Sequence, residues 1–331
     1  MLVVGPNGAG KTNLLESLHV GTQGFSPRTR VDAQLVRFGC RAARIALRGV
    51  RGQATPVELE VTLRLGEGRR AKLNGAPLRG AESLRSELST LVFTPDRLAV
   101  VKGGPAVRRA YFDRTLARLL PARAELPVAY GAAVGQRNAA LRRVRLGFSS
   151  RAALEPWTER VVVLGAELVA SRHDVVSLLA PLAAERAMQL GLPGVSLGYG
   201  GEQPTEEGLA ARLERDLERG TTGLGPHLDD IAFTAGQRDL RFFGSQGEQR
   251  LAVLSLILAE AELIASRGGV PPLLLLDDVL SELDPDRRRL LAERVASGGQ
   301  TVITATSASA LPTQAEQVLE VRPGTIVERG S

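Results

Sequence analysis

The chain has 331 residues, enough for about two domains, and 44% of them are apolar, an ordinary share that allows full cores. Its 42 basic residues outnumber the 36 acidic ones, giving a formal charge of +6 that favours a polyanionic partner; only Lys11, Lys72 and Lys102 are lysines. The lone Cys40 excludes an intrachain disulfide, three histidines with one cysteine exclude a zinc site of the usual spacing, and the lack of a run of about 18 apolar residues argues against a membrane span.

Leu2-Val3-Val4 predicts a strand, short beside the usual length of about five or six residues. Gly5-Pro6-Asn7-Gly8-Ala9-Gly10-Lys11-Thr12 follows and fits the phosphate-loop pattern G-x-x-x-x-G-K-[ST] at every fixed position. Asn13 to Leu18 predicts the helix that this loop should open. The glycines let backbone N–H groups curl around phosphate oxygens, and the helix N-terminus adds partial positive charge. Lys11 is placed to reach the β- and γ-phosphates of ATP, and the Thr12 hydroxyl to hold Mg²⁺. This start has no basic n-region and no h-region, so it is not a signal peptide, and a cytoplasmic protein is expected.

Ala43 to Val50 and Val57 to Leu65 alternate apolar and polar residues, the pattern of half-buried strands. Gly66-Glu67-Gly68 predicts a turn and Asn74-Gly75 a hairpin. Ser89 to Phe93 predicts another strand, closed by Pro95. From 96 to 219 the pattern turns helical, most clearly over 153–182 and 209–218, with a Gly-rich break at 191–201 that has room for a short strand. Strand patterning returns near 221, with Ile231 to Thr234 ahead of a turn at Gly236. The expected organisation is an α/β nucleotide domain in two pieces, 1–95 and 221–331, interrupted by a mainly helical arm, 96–220.

Phe243-Gly244-Ser245-Gln246-Gly247-Glu248-Gln249-Arg250 precedes a long apolar helix over 251–264. Ser245, Gln246 and Gly247 at that helix N-terminus predict a second anion site. Pro271-Pro272 then leads into Leu273 to Leu276, a continuous apolar run typical of a buried parallel strand, ending in Asp277-Asp278. Carboxylates at the C-terminal end of such a strand are where an α/β sheet does its nucleotide chemistry. Asp277 fits the Walker B role of holding the Mg²⁺ shell, and Asp278 that of orienting or deprotonating the attacking water. A strand cap before a turn is the competing reading.

Basic residues gather twice in the arm: Lys102, Arg108, Arg109 and Arg114, then Arg137, Arg142, Arg143 and Arg145. Such residues neutralise backbone phosphates without reading bases. The alternative is a solvated helix face, or ion pairs with Asp113 and Glu125. Aromatic residues make up only 4% of the chain, so duplex backbone binding is expected rather than a stacking platform for single strands. For His227, Asp229 and Asp230, a strand-edge hydrogen-bond cluster competes with a coupling role between the two domains.

The order of phosphate loop, S-x-G-x-Q signature and Walker B, with Val279-Leu280-Ser281-Glu282-Leu283-Asp284 as a D-loop, resembles ABC- and SMC-class P-loop ATPases. The chain resembles the RecF family in particular, through Phe93-Thr94-Pro95-Asp96-Arg97-Leu98, Arg108 to Arg114, Gln136-Arg137-Asn138-Ala139-Ala140-Leu141-Arg142 and Gly225-Pro226-His227-Leu228-Asp229-Asp230. The paired aspartates 277–278 also suit that family, since most ABC ATPases carry Asp-Glu there. The resemblance implies an ABC-type ATPase head with an inserted helical arm, and an ATP-dependent homodimer in which Ser245 and Gly247 close over ATP held by another subunit. It further implies weak, DNA-stimulated hydrolysis and binding to duplex DNA at gaps or single-strand/duplex junctions. RecO- and RecR-like partners and help in loading RecA follow, with a place in replication, recombination and the SOS response. Family members usually carry about two dozen residues ahead of the loop, so a shortened N-terminus is expected, and Arg where Leu228 stands. Transporter-type ABC subunits carry a switch histidine where this chain has Thr304-Ala305-Thr306. A transporter-type subunit and a truncated remnant acting as a structural DNA-binding protein are the alternatives.

Overall fold

The computed structural model describes residues 1–51, 55–268, 270–296 and 298–329. In chain order, β1 (Leu2–Val4) leads into α1 (Lys11–Gln23), followed by β2 (Ala42–Arg51), β3 (Thr55–Arg64), β4 (Gly68–Leu73), β5 (Ala76–Pro77) and β6 (Thr90–Phe93). Helices α2 (Ala99–Lys102), α3 (Pro105–Leu119), α4 (Leu126–Arg145) and α5 (Glu155–Gln189) come next, then β7 (Val195–Gly200), α6 (Glu206–Ala211) and α7 (Leu213–Arg219). The chain closes with β8 (Asp230–Ala235), β9 (Arg238–Asp239), α8 (Leu240–Phe243), α9 (Gln246–Gly268), β10 (Leu273–Leu276), α10 (Pro285–Ala296), β11 (Thr301–Ala305), β12 (Val318–Arg322) and β13 (Thr325–Arg329). Two compact units result, Met1–Asp96 with Ile264–Ser331, and Arg97–Leu263.

The first unit is built on a six-stranded sheet of order β13-β12-β1-β11-β10-β6, parallel except at the β13 edge. All four leucines of β10 are buried, which is why that strand reads as an unbroken apolar run. Short β1 is held on both flanks: Val3 lies opposite Thr304 on one side and Leu319 on the other. Leu14, Leu15 and Leu18 of α1 pack on this sheet with Val3, Val92, Leu275 and Val302. The next turn of α1 faces a second, antiparallel sheet of order β2-β3-β4-β5. There Val20 joins Leu59, Val61, Leu63 and Leu84, and Gly21 makes room for Leu47, whose Cδ1 lies 2.6 Å from where a Cβ would sit. Alternation in β3 is therefore real: Leu59, Val61 and Leu63 point in, while Glu58 and Glu60 point out and pair with Arg48 and Arg44 of β2. The Asn74-Gly75 turn has both residues at positive φ, 48° and 82°, as a two-residue hairpin demands.

The second unit combines the long helices α3, α4, α5 and most of α9 with a three-stranded antiparallel sheet, β7-β8-β9. The 221–263 segment packs here rather than with the nucleotide half, so the division falls at 263 instead of 220. The reason is β8, which pairs over its whole length with β7, Val195 opposite Ala235 and Gly200 opposite Asp230. Periodicity identified the strand but carried no information about which sheet it joins.

Candidate functional site

The loop between β1 and α1 owes its shape to its glycines. Gly5, Gly8 and Gly10 have φ of 158°, 82° and 107°. A Cβ on Gly5 would lie 2.5 Å from the Val321 carbonyl oxygen, whereas one on Gly8 would meet nothing within 4 Å. Gly5 thus permits close packing beneath the loop, and Gly8 keeps its mouth open. Pro6, Asn7 and Gly8 are exposed, while Ala9 is buried and anchors the loop in the core. The Lys11 ammonium curls back over this mouth and donates to the Gly5 and Pro6 carbonyls, at 2.7 and 3.0 Å.

Asp277 and Asp278 leave the C-terminal end of β10, and β11 lies between β10 and β1. That order brings the two ends of the sequence together. The Thr12 hydroxyl donates to Asp277 Oδ2 at 2.8 Å, across 265 residues. The other carboxylate oxygen accepts from the fully buried Thr304 hydroxyl at 2.7 Å, and the same hydroxyl accepts the Asp278 N–H at 2.9 Å. Thr304 therefore sets the orientation of Asp277 and the backbone of Asp278 together. Asp278 is one of two non-glycine residues at positive φ among those described, at 48°. Its carboxylate accepts from Ser281 of the D-loop stretch at 3.2 Å. The sequence reading named Thr304 only as part of a stretch lacking a histidine. A threonine set among Val302, Ile303 and Ala305 near the end of β11 was the available signal.

The residue set fits a magnesium nucleotide. No group of three or more His, Cys, Asp or Glu side chains able to hold a metal exists among the described residues. A single hydroxyl and a single carboxylate, Thr12 and Asp277, is the sparse oxygen set that Mg²⁺ takes when phosphates and waters complete its shell.

In the second unit, Ser245 caps α9 through a reciprocal pair. Its hydroxyl accepts the Glu248 N–H at 3.2 Å, and Glu248 Oε2 accepts the Ser245 N–H at 2.8 Å, a capping box. That N–H holds the Glu248 carboxyl below its ordinary value against a burial penalty, with help from Arg238. Ser245 and Gln246 are exposed and Gly247 is half-buried, so the signature residues line an open helix N-terminus. Leu251 to Leu254 behind them are buried.

The arginine expectations divide. Arg108 and Arg137 do not face solvent. Arg108 makes a forked pair with Asp230, at 2.6 and 2.7 Å, and donates to the Gly103 carbonyl at 2.7 Å. Arg137 is 1% exposed and donates to Asp216 at 3.0 Å, Thr222 at 2.9 Å and Thr158 at 3.2 Å. Every donor so used is lost to a phosphate, so both are corrected to internal ion pairs. Their partners are Asp230 and Asp216, whereas Asp113 pairs with Arg172. Half-buried Arg109 donates to the Asp229 carbonyl. Lys102, Arg114 and Arg142 remain exposed.

The same polar web shapes the 222–230 loop. His227 bridges the Tyr130 hydroxyl, at 2.8 Å, and the Thr222 carbonyl, at 2.9 Å, and burial pushes its pKa below the ordinary histidine value. Asn138 accepts from both the N–H and the hydroxyl of Thr222, at 2.7 Å each, and Asp229 accepts from Tyr199. Burial works against the charge of Asp230, yet the Arg108 fork and the Ile231 N–H hold its carboxyl below the usual value.

Known proteins resemble this chain over nearly its whole length. Residues 1–326 match the RecF/RecN/SMC N-terminal domain family. The DNA replication and repair protein RecF of Heliobacterium modesticaldum is 38% identical over 320 residues, covering 92% of this chain and 86% of that protein. The solved structure of the recombination mediator protein RecF with ATP, in the RecFOR pathway, superposes with a TM-score of 0.86 at 25% identity, over 99% of this chain and 91% of that one. An Smc head domain from Pyrococcus furiosus shares the fold alone, with a TM-score of 0.57 at 16% identity over 99% of this chain and 89% of that one. With an α/β ABC-type ATPase head fold, a phosphate loop joined to its Walker B aspartate and relatives of this closeness, the chain belongs to the RecF family of DNA replication and repair proteins.

Proposed function

We propose that the chain is an ATP-gated DNA-repair clamp that dimerises on ATP, binds duplex DNA at gaps or single-strand/duplex junctions, and works with RecO- and RecR-like partners to load a RecA-type recombinase. The observation that carries this reading is the 2.8 Å contact between Thr12 and Asp277, which assembles the two halves of a nucleotide site. Bound Mg²⁺ would draw charge from the phosphates there, held by Thr12 and Asp277. Lys11 would leave the Gly5 and Pro6 carbonyls for the β- and γ-phosphates, with the loop N–H groups and the α1 N-terminus around them. Asp278, steadied by Thr304 and Ser281, would orient a water and take its proton. Turnover is slow and stimulated by DNA, and hydrolysis releases the clamp. On the exposed side, Lys102, Arg114 and Arg142 are the remaining phosphate contacts.

Dimerisation requires the Ser245 helix N-terminus of one subunit to meet the γ-phosphate held by another. The test is sedimentation velocity with ATP on Ser245→Arg and Ser245→Asp. Aspartate keeps the N-cap but sets a negative charge against the phosphate, which separates capping from recognition. Both variants should bind ATP like the wild type and stay monomeric. An ATP-dependent dimer in Ser245→Asp rules out this use of the signature.

A further inference from the structure

Between α4 and α5 the chain turns at a tip that sets two exposed apolar side chains among arginines. Helix α4 ends in a Schellman motif. The Phe148 N–H donates to the Arg143 carbonyl at 2.9 Å and the Gly147 N–H to the Val144 carbonyl at 3.0 Å, with Gly147 at φ 77°. In that motif an apolar side chain at the Phe148 position usually folds back onto the last helical turn. Here the last turn carries Arg142 and Arg143, and Phe148 stands 72% exposed beside Leu146 at 59%. The hydrogen bonds fix the backbone of the turn, so two large apolar side chains are presented to water by a defined support.

Exposed arginines surround them. Arg142 and Arg145 donate to the Gly220 and Glu218 carbonyls at the end of α7, at 3.3 and 3.0 Å. Those bonds steer the two guanidinium groups and leave their other N–H donors available. Gly220 makes room for this, since a Cβ there would lie 2.8 Å from Arg142 Cγ. Arg143 is exposed on the same turn, and Arg151 pairs with Glu214 at 2.6 Å, with both side chains more than half exposed. An aromatic ring and a leucine among cations suit neither a lipid core nor an apolar protein groove, where the arginines would lose their water. They match a flat base-pair face flanked by phosphates.

We infer that the 142–151 tip is a junction wedge: Phe148, backed by Leu146, stacks on the terminal base pair where duplex gives way to single strand, while Arg142, Arg143 and Arg145 hold the adjoining phosphates. The inference rests on the DNA-binding reading above and adds the element that tells a gap from continuous duplex. One stacking residue at one step is compatible with the scarcity of aromatics, which argues only against a long single-strand platform.

The test is a binding titration of the full chain with ATP on two DNAs, a covalently closed duplex minicircle without loops or ends and the same minicircle with a single-stranded gap carrying 2-aminopurine at its edge. The wild type should prefer the gapped DNA and change the 2-aminopurine emission. Phe148→Ala should lose about tenfold in gapped-DNA affinity, the size of one base–aromatic stack, together with the emission change. Its affinity for the closed minicircle and for ATP should stay unchanged, which also shows that it folds. Phe148→Trp should restore the preference, and Arg143→Glu should weaken binding to both DNAs. A wild-type preference retained by Phe148→Ala overturns the wedge, and accompanying loss of affinity for a RecR-like partner reassigns the tip to protein docking. Wild-type binding to both DNAs without preference overturns the wedge alone; binding to neither overturns the DNA-binding reading beneath it.

Discussion

Lys11→Ala is expected to lower ATP affinity by roughly hundredfold or more. Its ammonium sits 2.7 and 3.0 Å from two carbonyls of the loop it serves, so it is already positioned at the phosphate mouth. Hydrogen bonds to charged groups contribute about 1.5–3 kcal/mol each, and two exchanged from loop carbonyls to phosphate oxygens reach roughly the 3 kcal/mol that this loss of affinity represents. Lys11→Arg should not restore binding, because a planar fork on a stiffer head does not reproduce a compact ammonium in a loop of this size. Lys11 is half-buried at the first turn of α1 and its truncation frees two loop carbonyls at an open mouth, so the variant should lose only about 1 kcal/mol in urea unfolding. Titration calorimetry with ATP reads the effect directly, and wild-type affinity in Lys11→Ala contradicts the site.

Arg137→Ala should produce the largest loss of stability, about 3–5 kcal/mol, because it strands the Asp216 carboxylate in the interior. Asp216 is itself 1% exposed and also accepts the Gly223 N–H at 3.1 Å, so no water is at hand to replace the guanidinium. The Thr222 hydroxyl loses the same donor, which loosens the turn that Asn138 and His227 hold. Exposed Arg142, five residues further along α4, should tolerate alanine within about 0.5 kcal/mol, as surface substitutions do. The double variant Arg137→Met with Asp216→Leu should be less destabilised than Arg137→Ala, since both charges leave together. Urea unfolding of the three variants decides the matter. Equal midpoints for Arg137→Ala and Arg142→Ala would return Arg137 to the list of surface contacts.

These two residues also mark what was legible in the sequence. The strand, glycine turn and helix around Lys11 were legible because every requirement of the phosphate-loop pattern is local: glycines at fixed offsets, a lysine, a hydroxyl and a helix to follow. The same holds for β10 with Asp277, for the alternation in β3 and for the Asn74-Gly75 turn. Arg137 was read as a surface cation because charge is visible in a sequence and burial is not. Its covering partner lies 79 residues away. Thr304 was missed as a site residue for a related reason, because its role depends on β11 lying between β1 and β10. The strand at Ile231 to Thr234 was found, but its pairing with β7 was not, since antiparallel partners 30 or more positions apart leave no local trace. Ser245 lies between these cases. The capping box with Glu248 is local and legible, whereas the proposed use of Ser245 by a second subunit would be a matter of assembly.

The measurement that tests the central proposal most directly is a mobility shift of gapped duplex DNA by the full chain with ATP, with ADP and without nucleotide, repeated over a range of salt. An ATP-gated clamp predicts a shift that needs ATP, disappears in Lys11→Ala and Ser245→Asp, and weakens steeply as salt rises because phosphate contacts release counterions. Equal shifts in all three nucleotide conditions would contradict it.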